Sequence, residues 1–237
     1  MQIQRKALED AKRVSLKIIN FGGLTMLNNH GFNLWSSNYD ESVKQADKNN
    51  LYPFAGYTNL MNAIYGTIMK QSPSRVLDIG FGTATLTSKL YDTGHDVTGI
   101  DFSSEMLKIA ASKMPKANLI QWDFSSGTLP DFDSQSFDFI VSTYALHHLP
   151  DNLKVNFVTL LLELLTPDGS ILIGDVCFRT RKDLLLCKES TGENWDDGEN
   201  YFVFSEIQEQ LASICELTLH EFSYCSGVIE IKKATSH

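Results

Sequence analysis

Arg75–Val76–Leu77–Asp78–Ile79–Gly80–Phe81–Gly82–Thr83–Ala84 is the stretch that decides the fold of this chain. An apolar run that reads as a buried strand carries an acid near its end. Two glycines one residue apart follow, and then small residues entering a helix. Glycine adds no Cβ and accepts backbone angles that other residues avoid, so such a bend brings the main chain close to a bound nucleoside. The helix start behind it offers N–H groups to an anionic end of a ligand. Asp101 follows Gly80 by 21 residues (101 − 80), at the end of a second apolar run, where a ribose needs a hydrogen-bond acceptor. The stretch reads as one wall of a nucleoside pocket.

Working outward, strands and helices alternate. Arg75–Ile79 is a first strand and Thr83–Tyr91 a helix closed near Gly94. Asp96–Ile100 is a second strand, with Ser103 or Ser104 capping the helix behind it. Asn118–Trp122 and Phe137–Ser142 continue the series. Asp151 caps a helix over 152–166, which ends at Thr166–Pro167–Asp168–Gly169, and Ser170–Val176 is a fifth strand. Ser205 with Gln208 has the form of a capping box opening a helix over 206–214. Leu217–Tyr224 and Val228–Lys232 close the chain. Too few residues separate them for a crossover helix, so they pair antiparallel. The expectation is an α/β fold with a doubly wound, seven-stranded, mostly parallel sheet and an antiparallel last strand. Helices are expected before it, among them an amphipathic one over 4–19. Residues 1–72 read as an N-terminal helical cap and 73–237 as the binding domain, with an aperiodic insertion over 178–203.

Composition excludes several partners. A formal net charge of −9 disfavours a nucleic-acid backbone or an anionic membrane surface as the main target. No run approaches the roughly 18 apolar residues of a membrane span. The start Gln2–Ile3–Gln4–Arg5–Lys6 has no apolar core of a secretion signal. Cys177, Cys187, Cys215 and Cys225 show neither C-x-x-C nor zinc-type spacing and read as free thiols of a reducing compartment, here the cytoplasm. A homodimer stays open, with the first helix as one candidate surface.

A nicotinamide dinucleotide is the first alternative for the pocket, but its G-x-G-x-x-G pattern finds Thr85 at the third position. Asp78, just before the first glycine, also suits a pyrophosphate poorly. At Asp78 through Ala84, Asp101, Asp123 and Leu165–Thr166–Pro167–Asp168–Gly169 the chain resembles the class I S-adenosylmethionine-dependent methyltransferases. Within them it is most similar to small bacterial enzymes of the YrrT type. The resemblance covers about residues 30–233. It implies a Rossmann-like methyltransferase fold, S-adenosyl-L-methionine as cofactor and a small-molecule methyl acceptor. It implies that Gly80 and Gly82 meet the methionine part, with Asp78 near its ammonium. Asp101 would accept from the ribose, Phe102 and Met106 would pack on the adenine, and Asp123 with Phe124 would meet the adenine amine. In the family a Tyr–Asp pair, here Tyr39–Asp40, closes over the cofactor, and 178–203 falls where a substrate cover is inserted. The chemistry agrees, since this cofactor carries a sulfonium, a ribose diol and an amine but no phosphate.

The fourth strand ends in Ser142–Thr143–Tyr144–Ala145–Leu146–His147–His148–Leu149–Pro150–Asp151. Ligands of open α/β sheets lie outside the carboxyl ends of the strands, so Thr143 and this loop should border the reacting methyl. An imidazole suits removal of a proton from an amine or hydroxyl acceptor, which makes His147 or His148 the candidate base. Adjacent histidines are expected to point apart, so a metal held by the pair with Asp175 is not expected. The Asn–Pro–Pro–Tyr loop of amide and adenine methylation is absent, with Ser142–Thr143–Tyr144 in its place. A module that binds the nucleoside without turnover is the alternative function.

Overall fold

Side chains of a strand point alternately to the two faces of its sheet, and β1 (Arg75–Ile79) shows what that does here. Val76 belongs to the apolar core on one face, with Leu172, and Leu77 to the core on the other, with Ile171 and Ile173. A strand buried on both faces needs helices on both, and the chain supplies them. The computed structural model describes residues 39–71 and 73–234. The expected helix over 4–19 and the stretch from Phe32 to Trp35 lie outside the described residues.

The elements in order are α1 (Tyr39–Lys48), α2 (Tyr57–Ile68), β1, α3 (Thr87–Asp92), β2 (Asp96–Asp101), α4 (Ser104–Lys113), β3 (Asn118–Gln121) and β4 (Phe137–Thr143). After a 3₁₀ turn, Leu146–His148, come α5 (Asp151–Leu164), β5 (Leu165–Phe178) and α6 (Arg181–Thr191). A second 3₁₀ turn, Gly192–Asn194, leads to β6 (Phe202–Val203), α7 (Phe204–Leu211), β7 (Cys215–Glu221) and β8 (Ser226–Lys233). The sheet runs β3-β2-β1-β4-β5-β8-β7, with β6 paired to the end of β5. Strands β1 to β5 pair parallel, and β8 lies antiparallel to both neighbours. Consecutive strands step outward from β1 to β3, and the next, β4, returns to the other side of β1. That reversal opens a crevice at the carboxyl ends of β1 and β4.

Helices α2, α3 and α4 cover one face through Leu60, Ile64, Leu90, Met106 and Ala110. Helices α5 and α7 cover the other through Phe157, Leu161, Ile207 and Leu211. Helix α2 sits so close to β5 that a Cβ on Gly174 would come within 2.5 Å of Leu60. Ser103 caps α4, its hydroxyl accepting from the Met106 N–H at 3.3 Å, a contact worth about 1 kcal/mol.

Four local expectations are corrected. The helix placed at Thr83 begins at Thr87, because Gly82 (φ +54°) and Ala84 (φ +58°) hold the chain left-handed before it. Asp151 does not cap α5. Pro150 stands at the cap, and Asp151 is the first helical residue, paired to Lys154 at 2.7 Å. No side chain caps α7. The capping box lies instead at Thr180–Asp183 and opens α6, inside the segment read as aperiodic. Cys177, Cys187, Cys215 and Cys225 are free and buried.

Candidate active site at the carboxyl edge of the sheet

The glycine bend sits where β1 meets the crevice. Gly80 adopts φ +70°, and a Cβ there would come within 2.5 Å of the Ala145 methyl, so both conformation and space require glycine. At Gly82 a Cβ would meet nothing within 4 Å, so the bend faces open space. Lys113 fastens the loop from behind by donating to the Thr83 carbonyl at 2.6 Å. Phe81 packs over Gly99 of β2, where a Cβ would strike its ring at 2.6 Å.

Asp78, one residue before the end of β1, lies opposite Gly99, and Asp101 ends β2 two residues further along. Asp101 accepts from the Gly82 N–H at 2.8 Å and the Ser103 N–H at 2.9 Å, tying the bend to the cap of α4. Burial pushes its pKa up, and the two backbone donors oppose that shift. Asp78 is 0% exposed. Its Oδ2 accepts from the Thr87 hydroxyl, and its Oδ1 has no hydrogen-bond partner among the described residues. Burial pushes its pKa up to about 7, with Asp101 adding to the rise and the Thr87 hydroxyl opposing it. A buried carboxylate oxygen without a donor is costly unless a cation or donor arrives from outside.

Of the other expected residues, Met106 and Phe124 are buried, Phe102 and Thr143 are half-buried at strand ends, and Phe124 packs on Phe157 with ring centroids 6.1 Å apart. Asp123 is exposed and accepts from the Ser125 N–H two residues on, at 2.9 Å. Tyr39 begins α1, but its side chain lies outside the description.

Across the crevice stands the loop after β4. Tyr144 is held left-handed at φ +50° with its ring against Phe54 and Tyr57, a strained conformation of the kind that clusters at functional sites. Its hydroxyl is buried, which raises its pKa well above the usual value. Ser226 lies near enough to lower that pKa somewhat, but outside hydrogen-bond geometry. His147 Nδ1 lies 2.6 Å from Asp175 Oδ1, and the Asp175 carboxylate also accepts from the backbone N–H of His147 and of Val176. The imidazole is 12% exposed and the carboxylate 1%. Burial alone would lower the His147 pKa, but the adjoining Asp175 charge and hydrogen bond hold it above the usual value. His148 Nδ1 contacts Glu199 Oε2 at 2.8 Å. Contrary to expectation the two histidines do not diverge. The 3₁₀ turn brings their rings to 4.2 Å between centroids.

Sequence reasoning missed the residues that hold this loop from the other side. Glu199 reaches His148 from the segment before β6, and the Asn200 N–H donates to the His147 carbonyl at 2.9 Å. Lys154, buried against the Phe202 ring, donates to Asp151 and to the Asn200 carbonyl. Tyr52, Trp195 and Tyr201 pack together beside His147, with Tyr52 stacked on Trp195 at 5.1 Å. Their aromatic character was visible, but nothing local tied residue 52 to residue 201.

A mostly parallel sheet carrying a glycine bend, two buried acids and a histidine loop along one edge has the arrangement of the α/β enzymes that bind nucleoside cofactors. Residues 76–169 match the model of a family described as a methyltransferase domain. An uncharacterised methyltransferase of Geobacillus sp. strain WCH70 is 33% identical over 187 residues, covering 76% of this chain and 84% of the relative. One from Oceanobacillus iheyensis is 34% identical over 64% of this chain and 68% of its own. Among solved structures, a complex of DhpI with SAH aligns at TM-score 0.65, 18% identity and 88% of this chain against 96% of that one. The PH0226 protein of Pyrococcus horikoshii aligns at TM-score 0.62 and 16% identity, over 78% and 93%. The chain belongs to the class I S-adenosylmethionine-dependent methyltransferases.

Proposed function

We propose that this enzyme transfers the methyl group of S-adenosyl-L-methionine to a small-molecule acceptor bound between the histidine loop and segment 178–203. The observation that carries the reading is the unpartnered Oδ1 of Asp78, fully buried beside a glycine bend that opens onto free space. Such an oxygen fits the ammonium of the cofactor, and Gly80 and Gly82 allow the backbone to approach it. Asp101 has lone pairs left after its two backbone contacts and takes the ribose hydroxyls. Phe102 and Met106 flank the adenine, and Asp123 with Phe124 meets its amine. When bound, the cofactor supplies an electrophilic methyl on a positively charged sulfur. Thr143 borders that methyl and Tyr39 closes over the cofactor.

On the acceptor side, Asp175 fixes the His147 ring through Nδ1 and leaves Nε2 to receive a proton, with His148 as its neighbour. A purpose-built base argues for turnover rather than storage of the nucleoside. No helix among the described residues is long and apolar enough to cross a membrane, in keeping with a cytoplasmic small-molecule enzyme.

The test is calorimetry with S-adenosylhomocysteine, followed by incubation of enzyme, methyl-labelled cofactor and a metabolite extract. Binding in the micromolar range and a labelled small product are expected. Asp101→Ala should weaken binding tenfold or more, since a hydrogen bond to a charged group is worth about 1.5–3 kcal/mol. A protein that binds neither form of the nucleoside overturns the reading. One that binds both and labels nothing is the storage module.

A further inference from the structure

We infer that His147, His148 and Glu199 form a binding site for one divalent transition-metal ion of the zinc type. One ligand atom from each of the three lies within 4.8 Å of the other two. Two ligands on a tetrahedral zinc ion, at bonds of about 2.0–2.2 Å, sit roughly 3.3 Å apart. The His148–Glu199 contact of 2.8 Å therefore opens by about half an ångström and the wider contacts close. The adjustment falls on Glu199, which lies in the irregular segment before β6.

Two further features favour an ion over a plain hydrogen-bond cluster. Asp175 is 1% exposed and holds His147 through Nδ1, which turns Nε2 into the ligand atom and makes it a stronger donor. Metal-bound histidines almost always donate their other ring N–H to a carboxylate, a backbone carbonyl or a water, and Asp175 is a partner of the first kind. The charges also suit a dication: Asp175 and Glu199 bring two carboxylates, while the nearby Lys154 ammonium is committed to Asp151 and the Asn200 carbonyl. Two imidazoles with one carboxylate select zinc-like ions over magnesium or calcium, which take oxygen ligands.

The consequence for activity rests on the function proposed above. An ion on Nε2 of His147 occupies the lone pair that would take the acceptor's proton, so zinc blocks methyl transfer and a chelator restores it.

The full chain, stripped with EDTA, is titrated with zinc chloride by calorimetry and with cobalt(II) by visible absorption, and S-adenosylhomocysteine binding is measured alongside. One ion per chain with tetrahedral cobalt bands is expected, with affinity falling tenfold or more in Glu199→Gln, in His148→Ala and in Asp175→Asn. Unchanged melting and nucleoside binding in Glu199→Gln show that the fold is intact. Absence of a one-to-one site, or a site untouched by Glu199→Gln and His148→Ala, overturns the inference. Zinc bound without nucleoside binding sinks the proposed function and spares the metal site, and nucleoside bound without zinc does the reverse.

Discussion

Asp78 is a carboxyl whose native pKa stands near 7, against the usual 3.8, because burial penalises its charge and only Thr87 answers it. A carboxyl raised in the folded state stabilises the fold fully below its unfolded pKa. That contribution is lost as pH climbs toward and through the folded value. Between pH 6 and pH 8 the loss is about 1.4 kcal/mol, or roughly 3–6 °C of melting temperature at this size. The unliganded enzyme should therefore melt higher at pH 6 than at pH 8 by this margin beyond what Asp78→Asn shows, since an amide cannot titrate. The same variant should bind S-adenosylhomocysteine more weakly. Identical pH profiles for the two proteins in thermal melts would refute the assignment. The glycine bend and its two acids were legible in sequence because each answers a local demand: Gly80 for a left-handed turn, Asp101 for a strand tip. Asp175 was legible beside the histidines only as a third metal ligand, and the Glu199 contact was not legible at all, since it joins residues 51 positions apart that only the assembled sheet edge brings together.

Helix α6 shows how an element can escape a pattern search. It buries only Leu184 and Cys187 and leaves Leu185 and Leu186 more than half exposed, so no clean apolar stripe announces it. Its start is marked instead by Thr180, whose hydroxyl accepts from the Asp183 N–H while the Asp183 carboxylate accepts from the Thr180 N–H. Ser205–Gln208 carried a similar signature in sequence, yet α7 begins at Phe204, directly from β6, and Ser205 falls inside the first turn. A short bridge to β5 thus displaced the cap that sequence favoured, and the Gly82–Ala84 conformation similarly delayed α3. Because few buried contacts hold α6, its cap should matter locally more than globally. Thr180→Ala removes about 1 kcal/mol of capping, which corresponds to roughly fivefold faster amide exchange across residues 181–191. The main melting transition should move little. Exchange unchanged in that segment would mean that packing, not the cap, sets its stability.

At the scale of the molecule, the order of the five parallel strands brings the glycine bend, Asp101 and the histidine loop to the carboxyl edge of the sheet, with the two cores on its faces. A doubly wound, mostly parallel sheet followed from the alternation of strands and helices, but its strand order did not. Neither the two-residue β6 nor the pairing of its neighbours with the histidine loop left a mark in the chain. In the proposed binding mode the ligand spans β1 and β2, and the unfolded chain has no site for it, so binding is coupled to the stability of the whole sheet. At a free concentration one hundred times its dissociation constant, S-adenosylhomocysteine should add about 2.7 kcal/mol, or roughly 5–11 °C of melting temperature. Asp101→Ala, tenfold weaker at the same concentration, should retain about half of that gain, near 1.4 kcal/mol. Measured by thermal shift, an equal gain in both proteins would place the nucleoside away from the tip of β2. Since Asp101 also ties Gly82 to Ser103, the unliganded variant should melt lower as well, and the comparison is made on the ligand-induced increment of each protein.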